Sequence, residues 1–286
     1  RVQPDEIRRQ VLEELTGLLP PEVATVSVES AKLELDSGLI IRNLTITPHG
    51  DQSPPTLSVE RIFARIDALS LTTGNKLPER VELTGVQLQI HRQSDGRWQH
   101  DQLVASIARS LRSQDTSEGE TVFPNVFLTR GQVRYVDESA GTKPVDLSLD
   151  SLEAQVTAVP SMRATSTPDV VISLQGENPL LGSLNARVRW QSFDSRLFVD
   201  RATVRVDLSR RHEVSLPQAI GDQADRMSLG GVLTIDGSCE LDRDRKLSNL
   251  DLNCEVTRGS LVLPSGFHFK SVHGTIEIHD DELRLR

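Results

Sequence analysis

Two cysteines, Cys239 and Cys254, are the side chains whose type and spacing point most directly to chemistry. Each lies in a segment of alternating apolar and polar residues. A turn over residues 242–246 would place the two thiols opposite each other, both on the apolar face of paired strands. Thiols in that position can form a cross-strand disulfide in an oxidising compartment. Two buried free thiols, which behave as small apolar side chains, are the alternative.

A second group of chemically competent residues lies near the end of the sequence. It consists of three histidines and three acidic residues, His268, His273, His279, Asp280, Asp281 and Glu282. Such a group could bind a metal ion. However, His279 has the polar parity of the alternation, opposite to that of Ile276 and Ile278, so solvent-facing turn residues are the better interpretation. We expect no metal site and no cofactor.

The motifs of the common catalytic sites are missing from the sequence. It has no glycine-rich phosphate loop, no nucleophile elbow and no histidine-rich zinc helix. Two tryptophans, Trp98 and Trp190, and a single tyrosine are too few for a sugar-binding platform. Paired acids such as Glu13 and Glu14 are interpreted as solvated charges. We therefore expect that the protein is not an enzyme.

The elements that position these residues are predicted to be strands, because apolar and polar residues alternate along most of the chain. Side chains alternate between the two faces of a strand, so each such segment has one apolar and one polar face. The pattern is most regular from residue 230 to 286. The residues expected to line the apolar face there are Leu233, Ile235, Leu241, Leu250, Leu252, Val256, Ile276 and Ile278.

Helical patterns are few. Residues 4–19 form the clearest one, with Ile7, Val11 and Leu15 at helical spacing and prolines at both ends. Residues 101–112 predict a second, short helix, and 209–229 a loop with a helical turn. Sixteen to twenty strands are expected, and one open sheet of that size usually curls, splits or closes. The segments that begin at Val81, Val126 and Ser271 share a rhythm of strand, glycine, strand and polar turn, typical of an array of hairpins.

The amino-acid composition limits the classes of partner that the protein is expected to bind. The formal net charge is −9, which argues against nucleic acid because its backbone is also negative. Aromatic residues make up only 3 % of the chain. No run of about 18 apolar residues that could span a bilayer is present. Both ends of the sequence look cut, so we interpret the chain as part of a longer protein.

Three segments carry a resemblance to a known family: "GVQLQIHRQSDGRWQHDQL" from Gly85, "LTRGQVRYVDESAGTKPVDLSLDSLEAQV" from Leu128, and residues 233–285. They resemble the AsmA-like family of bacterial envelope proteins (the AsmA, TamB and YhdP type), and the opening segment also resembles the start of chorein-type bridge proteins. The resemblance implies a β-groove that conducts phospholipid or another acyl-chain lipid between inner- and outer-membrane components. It also implies a periplasmic location, with a tether to the inner membrane in a segment missing from this chain.

The expected fold is therefore mainly β: a long curved antiparallel sheet that forms a groove, with an N-terminal capping helix and one or two short helices. Residues 1–22 are expected to form the capping helix and 23–286 the repetitive β-groove domain, with a subdivision near 113–122. The expected function is to shield lipid acyl chains for phospholipid transport or outer-membrane assembly. A structural or adhesive β-sandwich with a closed core is the alternative, because alternation looks the same in both folds.

Overall fold

The computed structural model describes fourteen ranges of the chain. These are residues 3–19, 22–34, 38–48, 56–65, 78–98, 124–139, 144–160, 168–178, 182–191, 196–213, 228–242, 246–262, 266–280 and 282–285. They contain one α-helix, α1 (Pro4–Leu18), and one 3₁₀ helix (Leu208–Glu213). The predicted helix over 101–112 lies outside them. Among the described helices, none has the length and apolar composition needed to cross a membrane.

Thirteen strands make up the rest of the described secondary structure. In chain order they are β1 (Ala24–Glu34), β2 (Gly38–Pro48), β3 (Leu57–Arg65), β4 (Arg80–Arg92), β5 (Asn125–Asp137), β6 (Val145–Val159), β7 (Asp169–Asn178), β8 (Gly182–Gln191), β9 (Arg196–Asp207), β10 (Gly230–Leu241), β11 (Leu247–Val262), β12 (His268–His279) and β13 (Glu282–Leu285).

These strands form one sheet in which spatial order equals chain order, β1 to β13. Every pair of neighbours with a described register is antiparallel. The sheet is open, because β1 and β13 are its two edges. The predicted mainly β fold with a long antiparallel sheet and an N-terminal helix is confirmed.

The chain divides into two compact units. Unit 1 comprises Arg1–Val136 and Ser151–Ala158, and unit 2 comprises Asp137–Asp150 and Val159–Arg286. Strands β1–β4 therefore belong to unit 1 and β7–β13 to unit 2. The subdivision predicted near 113–122 lies outside the described residues, so that boundary stays a prediction.

In unit 1, helix α1 covers the apolar face of the first strands. Ile7 on the helix packs with Val28, which is 1 % exposed, and with Val59. The Arg8 Nε donates a hydrogen bond of 2.7 Å to the Val28 carbonyl, which fixes the helix to β1. Each such aliphatic side chain contributes about 1.5–3 kcal/mol when it is fully buried. The helix begins at Pro4, as the sequence predicts, and ends one residue before the predicted residue 19.

Several strands contain a residue in the left-handed backbone region, where the ladder is interrupted. In β4 and β5 these residues are Gly85 and Arg130, with φ of 65° and 54°. They occupy matching positions in the segments from Val81 and Val126, so the internal repeat corresponds to a shared backbone feature. Such local disruptions bend a strand and increase its twist, as β-bulges do. The non-glycine members within strands are Asn43, Arg130, Ser151, Asn249, Arg258 and Ser271.

Candidate functional site

The candidate site is one face of the sheet in unit 2, which we call the apolar face. It spans β7 to β12, where directly opposed residues lie on the same side of the sheet. One row across these strands reads Gly176, Leu184, Val204, Ile235, Cys254 and Ile276. The next reads Leu174, Ala186, Ala202, Gly237, Leu252 and Ile278. The alternation of single strands thus adds up to a continuous aliphatic surface.

The register brings most of the predicted lining residues together. Leu233 lies opposite Val256, and Leu252 lies opposite Ile278. Ile235 and Ile276 flank Cys254 from the two neighbouring strands.

The two remaining predicted lining residues lie away from this centre. Leu241 closes the β10–β11 hairpin opposite Leu247. Leu250 follows the left-handed Asn249, and its backbone N–H donates to the Asp280 carboxylate at 3.0 Å. Leu250 therefore lies within the irregularity of β10 and β11, and Leu241 lies beyond it, so that both are separated from the central rows.

The two cysteines do not lie opposite each other, contrary to the expected register, and the structure agrees with the alternative of two free thiols. Cys254 lies opposite Ile235, and Cys239 lies opposite Val199 on β9. A five-residue turn and the register shift after Ser238 place the thiols four residues apart along β10, about 13 Å. A disulfide needs a Cα separation below about 7 Å. Both cysteines are free.

Sequence reasoning missed the half of the apolar face that comes from β7, β8 and β9. Its residues include Leu174, Leu184, Val188, Val199 and Val204, which lie in register with the predicted ones. They were identifiable by the same alternation. The signal is weaker there because alanine and glycine occupy several apolar-face positions.

The larger side chains on the apolar face are only partly buried, unlike those beneath α1, whereas Gly176 and Ala186 in its rows are buried. Leu233, Ile235, Leu252 and Ile276 all keep an intermediate exposure. In unit 1 the corresponding aliphatic residues are buried by the helix. Large aliphatic side chains therefore stay partly accessible on each of the six strands, and contiguous accessible apolar surface is typical of interaction sites.

Burial raises the pKa of both thiols, Cys239 and Cys254. The thiolate is the nucleophilic form of cysteine, so these protonated thiols act as small apolar side chains near neutral pH. The cysteines therefore belong to the lining of the apolar face by their chemistry as well as by their position.

The opposite side of the same strands is polar. Asp236 on β10 accepts hydrogen bonds from the Thr203 hydroxyl at 2.6 Å and from Arg201 at 2.9 Å. The Thr203 hydrogen bond, followed by that of Arg201, lowers the pKa of the Asp236 carboxyl below its ordinary value of 3.8. Strands β8 to β12 therefore separate an apolar side from a hydrogen-bonded, charged side.

The other candidate residues are the histidines and acids near the end of the chain and the tryptophans, and of these Asp281 lies outside the described ranges. The His279 Nδ1 lies 3.9 Å from an Asp251 oxygen, and both side chains are exposed. In the described ranges, no three His, Cys, Asp or Glu side chains come together in a way that could hold a metal ion. Trp98 packs near Tyr135, with ring centroids 6.1 Å apart, and lies under the guanidinium of Arg92.

A depression of about 550 Å³ lies on unit 1, over the interruption of the ladder at Asn43 and Gly85. Arg130 reaches across Gly85 and pairs with Glu60 at 3.1 Å. Asn43 donates a hydrogen bond to Glu29. The charged and amide groups of this depression therefore have partners within the sheet, which explains it as a structural feature.

Comparison with known proteins adds no relative: no protein-family model, no curated protein and no solved structure matches the chain.

Proposed function

We propose that this chain is a non-enzymatic protein of the bacterial envelope, of AsmA-like type, that shields lipid acyl chains on the apolar face of unit 2. It serves phospholipid transport or outer-membrane assembly across the periplasm, tethered to the inner membrane by a segment outside this chain. The observation that carries the proposal is the apolar face itself, a half-exposed aliphatic surface in register over six strands. The resemblance of residues 85–103, 128–156 and 233–285 to that family supports it.

The energetics favour such a surface for lipid. An acyl chain in water costs about 0.8 kcal/mol per CH₂, so a chain of about sixteen carbons faces a barrier of order 12 kcal/mol. A surface of Leu, Ile and Val removes most of that cost, because it replaces contacts between neighbouring acyl chains. Headgroups stay in water and need no partner on the apolar face.

The composition of the apolar face also suits lipids that move along it better than a ligand that is bound tightly at one place. The central rows consist of aliphatic side chains, one thiol and small residues. A tight small-molecule pocket usually adds a few polar groups that fix the orientation of its ligand. The apolar-face rows contain no charged residue, so affinity there depends on apolar contact rather than on recognition of a headgroup.

A closed β-sandwich with an adhesive or structural role is the alternative. It requires a second sheet to cover the apolar face. The described strands form a single sheet, which favours an accessible face. An apolar dye distinguishes the two, because it binds an open apolar face and ignores a closed core.

The test is the double substitution Ile235→Asp with Leu252→Asp. Two carboxylates at the centre of the apolar face must be desolvated by any acyl chain that lies there. We expect the purified wild-type chain to carry phospholipid, identified by native mass spectrometry and lipid extraction, and the double variant to carry less than about a tenth as much.

The matched control is Thr234→Asp with Asn253→Asp. These residues adjoin Ile235 and Leu252 in sequence but lie on the polar side, so the control adds the same charge to the same strands. It should keep its lipid. A wild-type chain without lipid or dye binding contradicts the proposal, and so does a double variant that retains its lipid. Circular dichroism establishes that both variants are folded.

A further inference from the structure

The tip of the β11–β12 hairpin exposes two aromatic side chains. Phe267 is 67 % exposed and Phe269 is 47 % exposed, at the start of β12. Phe269 lies opposite Leu261 on β11. Leu261 is five residues further along β11 than the apolar-face residue Val256, and the register between the two strands is irregular around Gly259. An exposed aromatic pair at a hairpin end is costly in water, because each ring presents a large apolar area.

The charge around this tip differs from that of the rest of the chain. No Asp or Glu occurs between Glu255 and Glu277, whereas 41 of the 286 residues, about one in seven, are acidic. The same stretch carries Arg258 and Lys270, both exposed. Neither forms an ion pair with another described residue. In an acidic protein, this hairpin tip is therefore locally cationic.

The opposite end of β11 provides a contrast. Leu247 is also exposed, at 53 %, but it lies beside Asp242, whose carboxylate accepts a hydrogen bond from the Lys246 backbone. Glu240 and Asp280 are acidic neighbours as well, and the exposed Lys246 precedes Leu247, so this end carries charges of both signs. Because β11 has 16 residues, Leu247 and the tip are about 50 Å apart. Among the described residues of this hairpin, exposed apolar side chains within a stretch free of acidic residues occur only at the Phe267 end.

We propose that the hairpin tip formed by Phe267, Phe269, Arg258 and Lys270 docks on an anionic lipid bilayer. Aromatic rings favour the interfacial region of a membrane, where their apolar surface leaves water. Lys and Arg next to them gain attraction to anionic headgroups of about 1 kcal/mol each. The tip continues the strands of the apolar face, so docking would place that face within reach of acyl chains; this functional meaning rests on the proposed function.

The test is flotation of the full chain with vesicles made of equal parts of phosphatidylcholine and phosphatidylglycerol. We expect wild type to float with these vesicles and to bind pure phosphatidylcholine vesicles more weakly. Phe267→Ser with Phe269→Ser should weaken binding roughly tenfold or more, because the interfacial apolar contact is lost. Arg258→Glu with Lys270→Glu should abolish the preference for the anionic vesicles.

The matched control is Leu247→Ser, which removes exposed apolar area from the far end of the same strand. It should float like wild type. Equal loss of binding in Leu247→Ser and in the phenylalanine variant would overturn the proposal, because it would indicate general apolar adhesion. Failure of wild type to bind either vesicle overturns it too, as does a dimer in solution that the phenylalanine substitutions dissolve.

Lipid content separates this proposal from the proposed function. The phenylalanine variant should keep the phospholipid that co-purifies with wild type, since Ile235 and Leu252 are untouched. If wild type floats but neither it nor any variant carries lipid, docking stands and the shielding function fails. If wild type carries lipid but does not float, the shielding function stands and docking fails.

Discussion

Cys254 is the residue whose surroundings say most about the apolar face. It sits between Ile235 and Ile276, and it is free and half-buried. Burial raises the pKa of its thiol, so we expect it to react slowly with alkylating reagents. Cys254 lies at the centre of the proposed acyl-chain surface. Its alkylation rate therefore reports whether a ligand covers that surface.

The corresponding prediction concerns alkylation of Cys254 in a Cys239→Ser background. Bound lipid should slow the reaction with a water-soluble alkylating reagent about tenfold or more, because the thiol loses access to water. The measurement is the modified mass against time, with and without added phospholipid.

A control thiol on the polar side makes that experiment specific. Asn253→Cys, in a chain with serine at 239 and 254, should react at the same rate with and without lipid. Equal protection of both thiols would contradict binding on the apolar face.

Gly38 occupies a backbone position at which a side chain does not fit. Its φ is 115°, and a Cβ there would collide with the backbone carbonyl of Ala64 on β3. Gly38→Ala should therefore lower the free energy of unfolding by about 2–3 kcal/mol, from strain and collision together.

A second glycine supplies the matched control for Gly38. Gly17, in α1, has open space where a Cβ would stand, with no atom of another element within 4 Å. Gly17→Ala should raise stability by about 0.5 kcal/mol, because alanine has the better helix propensity. Urea denaturation followed by circular dichroism measures both variants, and changes of the same sign would refute this interpretation.

At the scale of elements, α1 has a role that its sequence alone leaves open. An amphipathic helix with mixed charges suits a membrane surface or a protein surface, and in unit 1 it lies on the sheet. Ile7 is 8 % exposed, whereas Gln10 points to solvent. The helix is thus part of the core of unit 1.

We expect Ile7→Ala to destabilise unit 1 by about 2–4 kcal/mol, from lost contacts and the cavity left behind. Gln10→Ala, on the exposed side of the same helix, should change stability by less than about 0.5 kcal/mol. Thermal unfolding monitored by circular dichroism compares the two. A loss no larger for Ile7→Ala than for Gln10→Ala would show that the helix does not stabilise the sheet.

Strand faces could be predicted from the sequence, but strand partners and irregularities could not. The alternation from Leu233 to Leu241 identifies β10 and its apolar side, because parity is a local property. The register of Cys254 depends on a turn and on the left-handed Asn249, which no hydrophobic pattern marks. A five-residue connection with Leu241 opposite Leu247 already places Asn249, not Cys254, opposite Cys239. The added residue moves the partner of Cys254 only by one, to Ile235. The lining residues were found because the face on which a residue lies does not depend on this register.

The candidate site follows the same division. Leu233, Ile235, Leu252, Val256, Ile276 and Ile278 were identifiable because they alternate without interruption. The aromatic tip at Phe267 and Phe269 was not, since exposure at a hairpin end depends on where the strands stop. The segment 209–229 shows a similar limit: its helical turn is found at Leu208–Glu213, and residues 214–227 lie outside the described ranges.

For the whole molecule, the net charge is negative, whereas the local charge at the β11–β12 hairpin tip is positive. A formal charge of −9 keeps the chain away from anionic membranes in general. The β11–β12 hairpin tip has no acidic residue to repel anionic headgroups. It would therefore confine membrane contact to one place on the protein. Under the docking proposal, the sign of the local charge at the hairpin tip, rather than the total charge, would determine how the protein meets a bilayer.

The order of the strands has a consequence for how the chain acquires its structure. Each strand pairs only with the strands before and after it in sequence, so no partner has to be awaited from a distant part of the chain. Closing short loops costs little entropy, and topologies rich in sequence-local contacts fold faster than those with distant pairings. A chain that emerges end first during its synthesis can therefore form its sheet strand by strand, with only the newest edge unpaired at any moment.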